Sequence, residues 1–276
     1  MTLVAIASGI GIGLLLGALG GGGSIVTVPA LVYILGQSST IAVTQSLAIV
    51  GVSSLFAVIS HARAKHVRWS VGIPLGAIGG ATAWAGTALG RVVPSNVTMT
   101  AFAILMVIVA ASLLVRTLSP EHPANHPSDA HARAAVGPGT LPDINEKERL
   151  PATAVLKVLV AGSIVGILTG FFGVGGGFVI VPVLVLALGF SMPTAVGTSL
   201  LVISLNSFAA LIPRLGHDSL NWSLVLPLAG AAMVGALVGK QATRCISDAA
   251  LTRVFAAILI AVAVYVGARS ISLLPH

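Results

Sequence analysis

The chain has 276 residues, of which 56% are hydrophobic and 8% charged, and its mean hydropathy is +1.05. A soluble domain has about 25% charged residues, so this composition excludes an ordinary water-soluble fold. The 14 Lys and Arg give a net charge of +7, but they lie between or beside apolar segments, which argues against nucleic acid as a partner. The expected class is an all-α polytopic membrane protein surrounded by membrane lipid.

The first half predicts five helices, with approximate bounds 3–19, 24–35, 39–60, 69–90 and 95–117. The 12 residues of 24–35 would rise about 18 Å, too little to cross a hydrocarbon core of roughly 30 Å. We therefore expect 24–35 to be a half-helix or a re-entrant arm. No positively charged region precedes 3–19, so this segment is predicted to be a helix of the fold and not a signal peptide.

A hydrophilic linker, residues 119–153, follows and contains five of the seven acidic residues. Its histidines, His122, His126 and His131, have a spacing that could serve a metal, but the prolines between them favour a solvated loop. We expect no metal site and no cofactor. Cys245 is the single cysteine, which excludes an internal disulfide.

The second half repeats the first without a gap. Gly17 and Gly170, Pro29 and Pro182, and Trp69 and Trp222 each lie 153 positions apart. The repeated helices are predicted near 155–172, 177–188, 192–213, 222–244 and 248–270. Internal duplication divides the chain into a first transmembrane repeat, 1–118, the linker, 119–153, and a second transmembrane repeat, 154–276.

Charge in the short loops indicates how the repeats are oriented, because Lys and Arg are enriched in cytoplasmic loops. Loop 61–68 carries three Lys and Arg residues, and its counterpart 214–221 carries Arg214 alone. The next turn reverses the bias, with Arg91 alone in the first half and three basic residues around Arg244 in the second. Opposite bias at equivalent loops favours inverted repeats, with the linker on the cytoplasmic side of the cell membrane.

Two glycine-rich breaks, residues 20–23 and 173–177, each precede a short helix. Glycine lets the backbone turn sharply, and the first amides of the following helix then suit an anion. In transporters with internal repeats, broken helices of this kind form the substrate site near the midplane. The alternative is that these glycines only allow helices to pack closely.

Polar side chains follow each break in the next predicted helix, where they could donate to an anion or hydrogen-bond between helices. No Asp or Glu occurs before Glu121, which disfavours a cation site or a carboxylate proton relay within the membrane. No catalytic residue is predicted. The predicted substrate-binding residues are Gly21, Gly22, Gly23, Ser24, Gln45, Ser46, Gly175, Gly176, Gly177, Thr198, Ser199 and Asn206.

The breaks resemble one known family. Residues 20–29 and 173–182, with the later 195–199, are similar to the TauE/SafE family of sulfite exporters, also called the 4-toluene sulfonate uptake permease family. The resemblance covers both halves, although residues 19–23 depart from the pattern that 172–176 follow. It implies transport of sulfur-containing anions such as sulfite, sulfonates, sulfoacetate or thiosulfate.

The leading functional prediction is a secondary transporter that moves a small anion by alternating access at the two breaks. An anion-selective channel and a non-transporting membrane scaffold are the alternatives. An intramembrane enzyme is disfavoured, because the histidines lie in or beside loops or at the terminus. A small anionic substrate is the expected partner, and a homo-oligomer is left open.

Overall fold

A computed structural model describes residues 2–118, 152–173, 177–215, 220–242 and 248–272. Within these ranges the chain forms ten α-helices and no strand, which confirms the all-α prediction. The helices are α1 Thr2–Leu19, α2 Gly22–Pro29, α3 Ser39–Arg63, α4 Trp69–Val92, α5 Ser95–Leu118, α6 Ala152–Phe172, α7 Gly177–Leu188, α8 Met192–Leu215, α9 Trp222–Ala242 and α10 Asp248–Ser272. Residues 119–151 of the predicted linker lie outside the described residues.

Two long apolar helices form the centre of the molecule. By length and hydropathy, α3, α8 and most of α9 are each able to cross a membrane unaided. In the apolar stretches of α3 and α8, 78% of the residues are buried, whereas 39% are buried in that of α9. α3 and α8 are therefore surrounded by the other helices, and α9 presents much of its surface to the outside.

The short segment after the first break differs from its prediction as a single helix. α2 ends at Pro29, and Ala30–Ile34 continues as a π-helical turn in which the Leu35 amide donates to the Ala30 carbonyl at 3.1 Å. Proline has no amide hydrogen, so the regular helical ladder loses a bond at Pro29, and a wider turn can follow. In the second half, α7 continues past Pro182 as an α-helix to Leu188.

The backbone makes the same turns at the same offset in both halves. Gly20 and Gly173 have φ of +69° and +68°, and Gly36 and Gly189 have φ of +66° and +68°. Each glycine ends a helix in the left-handed conformation, which other residues adopt only with strain. The two halves of the chain therefore place their helix ends alike.

Each half packs its helices against the other half. Gly9, Gly13 and Gly17 of α1 lie against the backbone of Leu228, Ala232 and Ala236 of α9. Gly162, Gly166 and Gly170 of α6 lie against Leu75, Gly79 and Ala83 of α4 in the same way. Glycines four residues apart form a flat stripe that lets two helix backbones approach closely, as in small-xxx-small contacts between membrane helices.

These contacts fix the relative directions of the helices. α1 runs parallel to α9, and α4 runs parallel to both α6 and α8, because residue numbers rise together along each contact. α3 and α8 are antiparallel, since the start of α3 at Ser39 and the end of α8 at Arg214 line one cavity. At their middles, the Ser204 hydroxyl donates to the Gly51 carbonyl at 3.3 Å.

The packing predicts that replacing Gly13 with alanine destabilises the protein. A Cβ at Gly13 would overlap the carbonyl oxygen of Ala232, so α1 and α9 would have to separate. We expect Gly13→Ala to lower the free energy of unfolding by about 1–3 kcal/mol, measured as a lower melting temperature in detergent. Gly11→Ala on the same helix is the control, because no atom lies within 4 Å of its Cβ position. Equal melting temperatures for the two variants would contradict the packing argument.

Candidate functional site

The first glycine break turns at a single residue. Gly20, with φ +69°, donates its amide to the Leu16 carbonyl at 2.9 Å and ends α1. Gly21 then begins the next helix as its N-cap, with φ −82° and no side-chain capping bond. A glycine N-cap carries no side-chain acceptor, so Gly21 supplies no capping bond to the first amides of α2.

The two short helices begin side by side at the centre of the molecule. A Cβ added at Gly177, the first residue of α7, would lie 2.8 Å from the Gly21 Cα and would overlap the side chain of Ile203. Ile203 precedes Ser204, whose hydroxyl bonds to the middle of α3. The starts of α2 and α7 therefore meet at mid-length of the two central helices, and their positive dipole ends lie close together.

A serine from the opposite half lies beside each break. The Ser46 hydroxyl of α3 donates to the Gly173 carbonyl. Ser199 of α8 lies against Gly20, where an added Cβ would be 2.5 Å from its Oγ. Ser199 donates to the Val196 carbonyl at 2.8 Å, and Ser24 donates to the Gly21 carbonyl at 2.7 Å. In this conformation the three hydroxyls are bonded to backbone, so each must rotate before it can donate to an anion.

Other predicted site residues have different contacts. Gly23 packs closely on α1, because an added Cβ would lie 2.6 Å from the Leu16 Cβ. This contact matches the alternative reading, in which the glycines of the breaks allow helices to pack closely. The Thr198 hydroxyl accepts the Arg68 amide at 3.1 Å, and the Gln45 Nε2 donates to the Gln37 Oε1 at 3.4 Å. Gly22 begins α2, and Gly175 and Gly176 lie outside the described residues.

Buried polar side chains also occur farther along α3 and α8. Asn206, Ser54 and Ser207 are fully buried, and within the described part of the chain the Asn206 amide and both hydroxyls have no hydrogen-bond partner. Asn206 faces α4, because a Cβ added at Gly79 would lie 2.6 Å from the Asn206 Nδ2. Buried polar atoms without partners cost stability, and this cost marks the group as a candidate for function.

Two buried basic residues were not expected at the helix ends. Arg214, assigned by its sequence to a loop, lies in the last turn of α8 with 3% exposure, and its Nη2 donates to the Gly170 carbonyl at 2.9 Å. His61, which lies 153 residues earlier, is 4% exposed in the last turn of α3. His61 and Arg214 are paired when the two halves of the sequence are aligned at the offset of 153 positions. The sequence therefore contained an indication that the two positions are related. In the described residues, no group of three His, Cys, Asp or Glu could hold a metal.

The outer surface indicates the class of protein to which the chain belongs. Trp69 and Trp222, which begin α4 and α9, are 49% and 56% exposed, and Leu226 on α9 is 63% exposed. Exposed apolar side chains around buried broken helices are typical of a helical membrane protein. Within that class, residues 5–266 match the family model described as Sulfite exporter TauE/SafE. The chain belongs to this family.

Individual relatives support the same assignment. The chain is 33% identical over 275 residues to a "Probable membrane transporter protein" of Xylella fastidiosa strain Temecula1, covering 97% of this chain and 95% of the relative. It is 26% identical over 260 residues to the "Probable membrane transporter protein YunE" of Bacillus subtilis strain 168, covering 90% and 92%. No solved structure matches the chain.

Substitution of Asn206 tests whether its buried amide stabilises the folded protein. We expect Asn206→Leu, which keeps the approximate volume, to leave the free energy of unfolding unchanged or to raise it by about 1 kcal/mol, because it removes unpartnered polar atoms. Ser53→Ala is the matched control at the repeat-equivalent position, where the hydroxyl bonds to the Ile49 carbonyl at 2.6 Å. Thermal unfolding in detergent checks both. A larger loss of stability for Asn206→Leu than for Ser53→Ala would assign Asn206 a structural role.

Proposed function

We propose that this chain is a secondary transporter that moves small sulfur-containing anions, of the sulfite, sulfonate, sulfoacetate or thiosulfate class, across the cell membrane. The substrate site lies at the adjoining starts of α2 and α7, where the first amides of these helices would bind the anion. The contact between Gly21 and Gly177 carries this proposal, because it brings two helix N-termini to one point near the midplane.

Two converging helix starts favour an anion for electrostatic reasons. Each helix carries about half a positive charge at its N-terminus, and the first amides point along the axis toward a ligand. In a low-dielectric interior, these partial charges act more strongly than in water. The absence of Asp and Glu from the sequence before Glu121 leaves the first half without a carboxylate to repel the anion.

The substrate class follows from the family and from the chemistry of the donors. The matching family is described as a sulfite exporter family. Amides and the hydroxyls of Ser24, Ser46 and Ser199 are neutral donors, which suit the several oxygens of a sulfur oxyanion without holding it too tightly for release. Neutral donors also require no change of protonation during transport.

The directions of the helices support alternating access. The Lys240 Nζ near the end of α9 donates to the Ser60 Oγ near the end of α3 at 2.9 Å, so α3 runs parallel to α9. α1, α3 and α9 therefore point one way, and α4, α6 and α8 point the other, so counterparts in the two halves have opposite directions. Inverted repeats can exchange conformations, and the exchange opens a midplane site first to one side and then to the other. In this arrangement the linker 119–153 is cytoplasmic, as the excess of basic residues in loop 61–68 favours.

Uptake into proteoliposomes tests the transport proposal. Purified protein in sealed vesicles is expected to take up radiolabelled sulfite with saturation, and excess unlabelled sulfite inside should drive transient accumulation of the label by counterflow. Empty vesicles are the control. Linear flux that never saturates and shows no counterflow would instead support the anion-selective channel, and no flux would support the scaffold.

Gly177→Ala tests the location of the site in the same assay. Its methyl group would overlap Ile203 and press on Gly21, so we expect at least about a tenfold loss of sulfite uptake, equivalent to roughly 1.4 kcal/mol. Gly230→Ala is the control, because its Cβ position has no neighbour within 4 Å. Melting temperatures of both variants show whether each is folded. A folded Gly177→Ala protein with normal uptake would show that the substrate site does not lie at this position.

A further inference from the structure

A cavity of about 160 Å³ lies at the end of the molecule where α3 and α5 begin and α8 ends. Its polar lining includes Ser39 and Thr40 at the start of α3, Thr98 in the first turn of α5, and Arg214. Thr40 is exposed and Arg214 is buried, so the cavity leads from the surface toward the interior. An oxyanion of four or five heavy atoms fits, since one water takes about 30 Å³ of liquid.

Positive charge reaches this cavity from Arg214 and from the N-terminal ends of α3 and α5, while the C-terminal ends of α4, α6 and α8 also lie at its wall. Arg214 contributes a guanidinium charge, and its Nη2 donates to the Gly170 carbonyl in this conformation, so an oxyanion would share this group with the end of α6. α3 and α5 direct their N-terminal ends to the same space, and the N-cap of α3, Ser38, makes no side-chain capping bond. The helices that line the cavity, α3, α4, α5, α6 and α8, contain no Asp or Glu in their sequences.

The inner wall of the cavity adjoins the second glycine break. Val43 and Phe171 line the cavity. A Cβ added at Gly173 would lie 2.8 Å from the Val43 Cβ, and Phe171 is two residues from Gly173 along the chain. One helical turn beyond Val43, Ser46 bonds to the Gly173 carbonyl. Val43 therefore lies between the Arg214 cavity and Gly173.

We propose that the Arg214 cavity is a vestibule that binds an oxyanion, such as a sulfonate, before it reaches the site between α2 and α7. This inference rests on the transport proposal for its place in the pathway, but anion binding in the cavity is measurable without transport. Arg214 supplies the charge, and the hydroxyls of Ser39, Thr40 and Thr98 supply further donors. Val43 and Phe171 separate the vestibule from the central site.

The relative reaction rates of an anionic and a cationic thiol reagent report the electrostatic potential in the cavity. Cys245→Ala removes the single cysteine, and Thr40→Cys then places one thiol at the cavity mouth. In detergent, we expect the anionic sulfonatoethyl methanethiosulfonate to react about fivefold faster than its cationic trimethylammonium analogue, after each rate is normalised to a free thiol. Arg214→Gln should bring the ratio close to one, and Arg214→Lys should largely retain it.

Arg63→Gln is the matched control. It removes the same charge from an exposed residue at the opposite end of α3, so the ratio at Thr40→Cys should not change. A second measurement does not depend on how well Arg214→Gln folds: millimolar ethanesulfonate should slow labelling of Thr40→Cys while Arg214 is present. The vestibule proposal would be overturned if Arg214→Gln did not alter the ratio of the two labelling rates, or if ethanesulfonate gave no protection.

The outcomes separate this inference from the transport proposal. If the reagent ratio and protection are as expected and the same protein gives no sulfite flux in vesicles, the cavity binds anions and the transport proposal fails. If sulfite flux is saturable and neither ratio nor protection depends on Arg214, transport stands and the vestibule fails. If both succeed, Arg214→Gln should raise the sulfite concentration for half-maximal uptake with little change in the maximal rate.

Discussion

The structure depends on one constraint, which is that backbone polar groups in a membrane interior need partners inside the protein. The chain nevertheless breaks two helical segments near the centre of the molecule, where α3 and α8 lie against the breaks. Gly20 and Gly173 make the turns, and the Ser46 hydroxyl caps the Gly173 carbonyl from the opposite half. The glycine stripes of α1 and α6 hold the halves together around these breaks. At the centre, the starts of α2 and α7 then lie side by side.

Much of the fold could be predicted from the sequence because apolar length and glycine position are local signals. The bounds of α3, α4 and α7 agree with their predictions within a few residues, since polar loops and glycines interrupt long apolar runs. The π-helical turn after Pro29 could not be predicted, because Pro182 at the equivalent place is accommodated within a regular helix. Such a choice depends on packing between α2 and its neighbours, which the local sequence does not contain.

The site could be predicted only in part. Duplication indicated that the two breaks act as a pair, and the starts of α2 and α7 do lie together, but it could not reveal that Ser24, Ser46 and Ser199 bond to carbonyls in this conformation. Hydroxyl partners depend on side-chain rotation within a tertiary structure. Arg214 was missed because a charge at the end of an apolar run resembles a loop anchor. Its burial arises from the antiparallel packing of α3 and α8, which places the end of α8 beside the starts of α3 and α5.

The central claim is that the two glycine breaks form one anion site, and an experimental structure with a bound anion tests it most directly. The protein in lipid nanodiscs with saturating thiosulfate, whose two sulfur atoms make it electron-dense, is suited to this measurement. The account predicts density between the starts of α2 and α7, within hydrogen-bond distance of the first amides of α2. Thiosulfate bound away from both breaks in every conformation observed would contradict it.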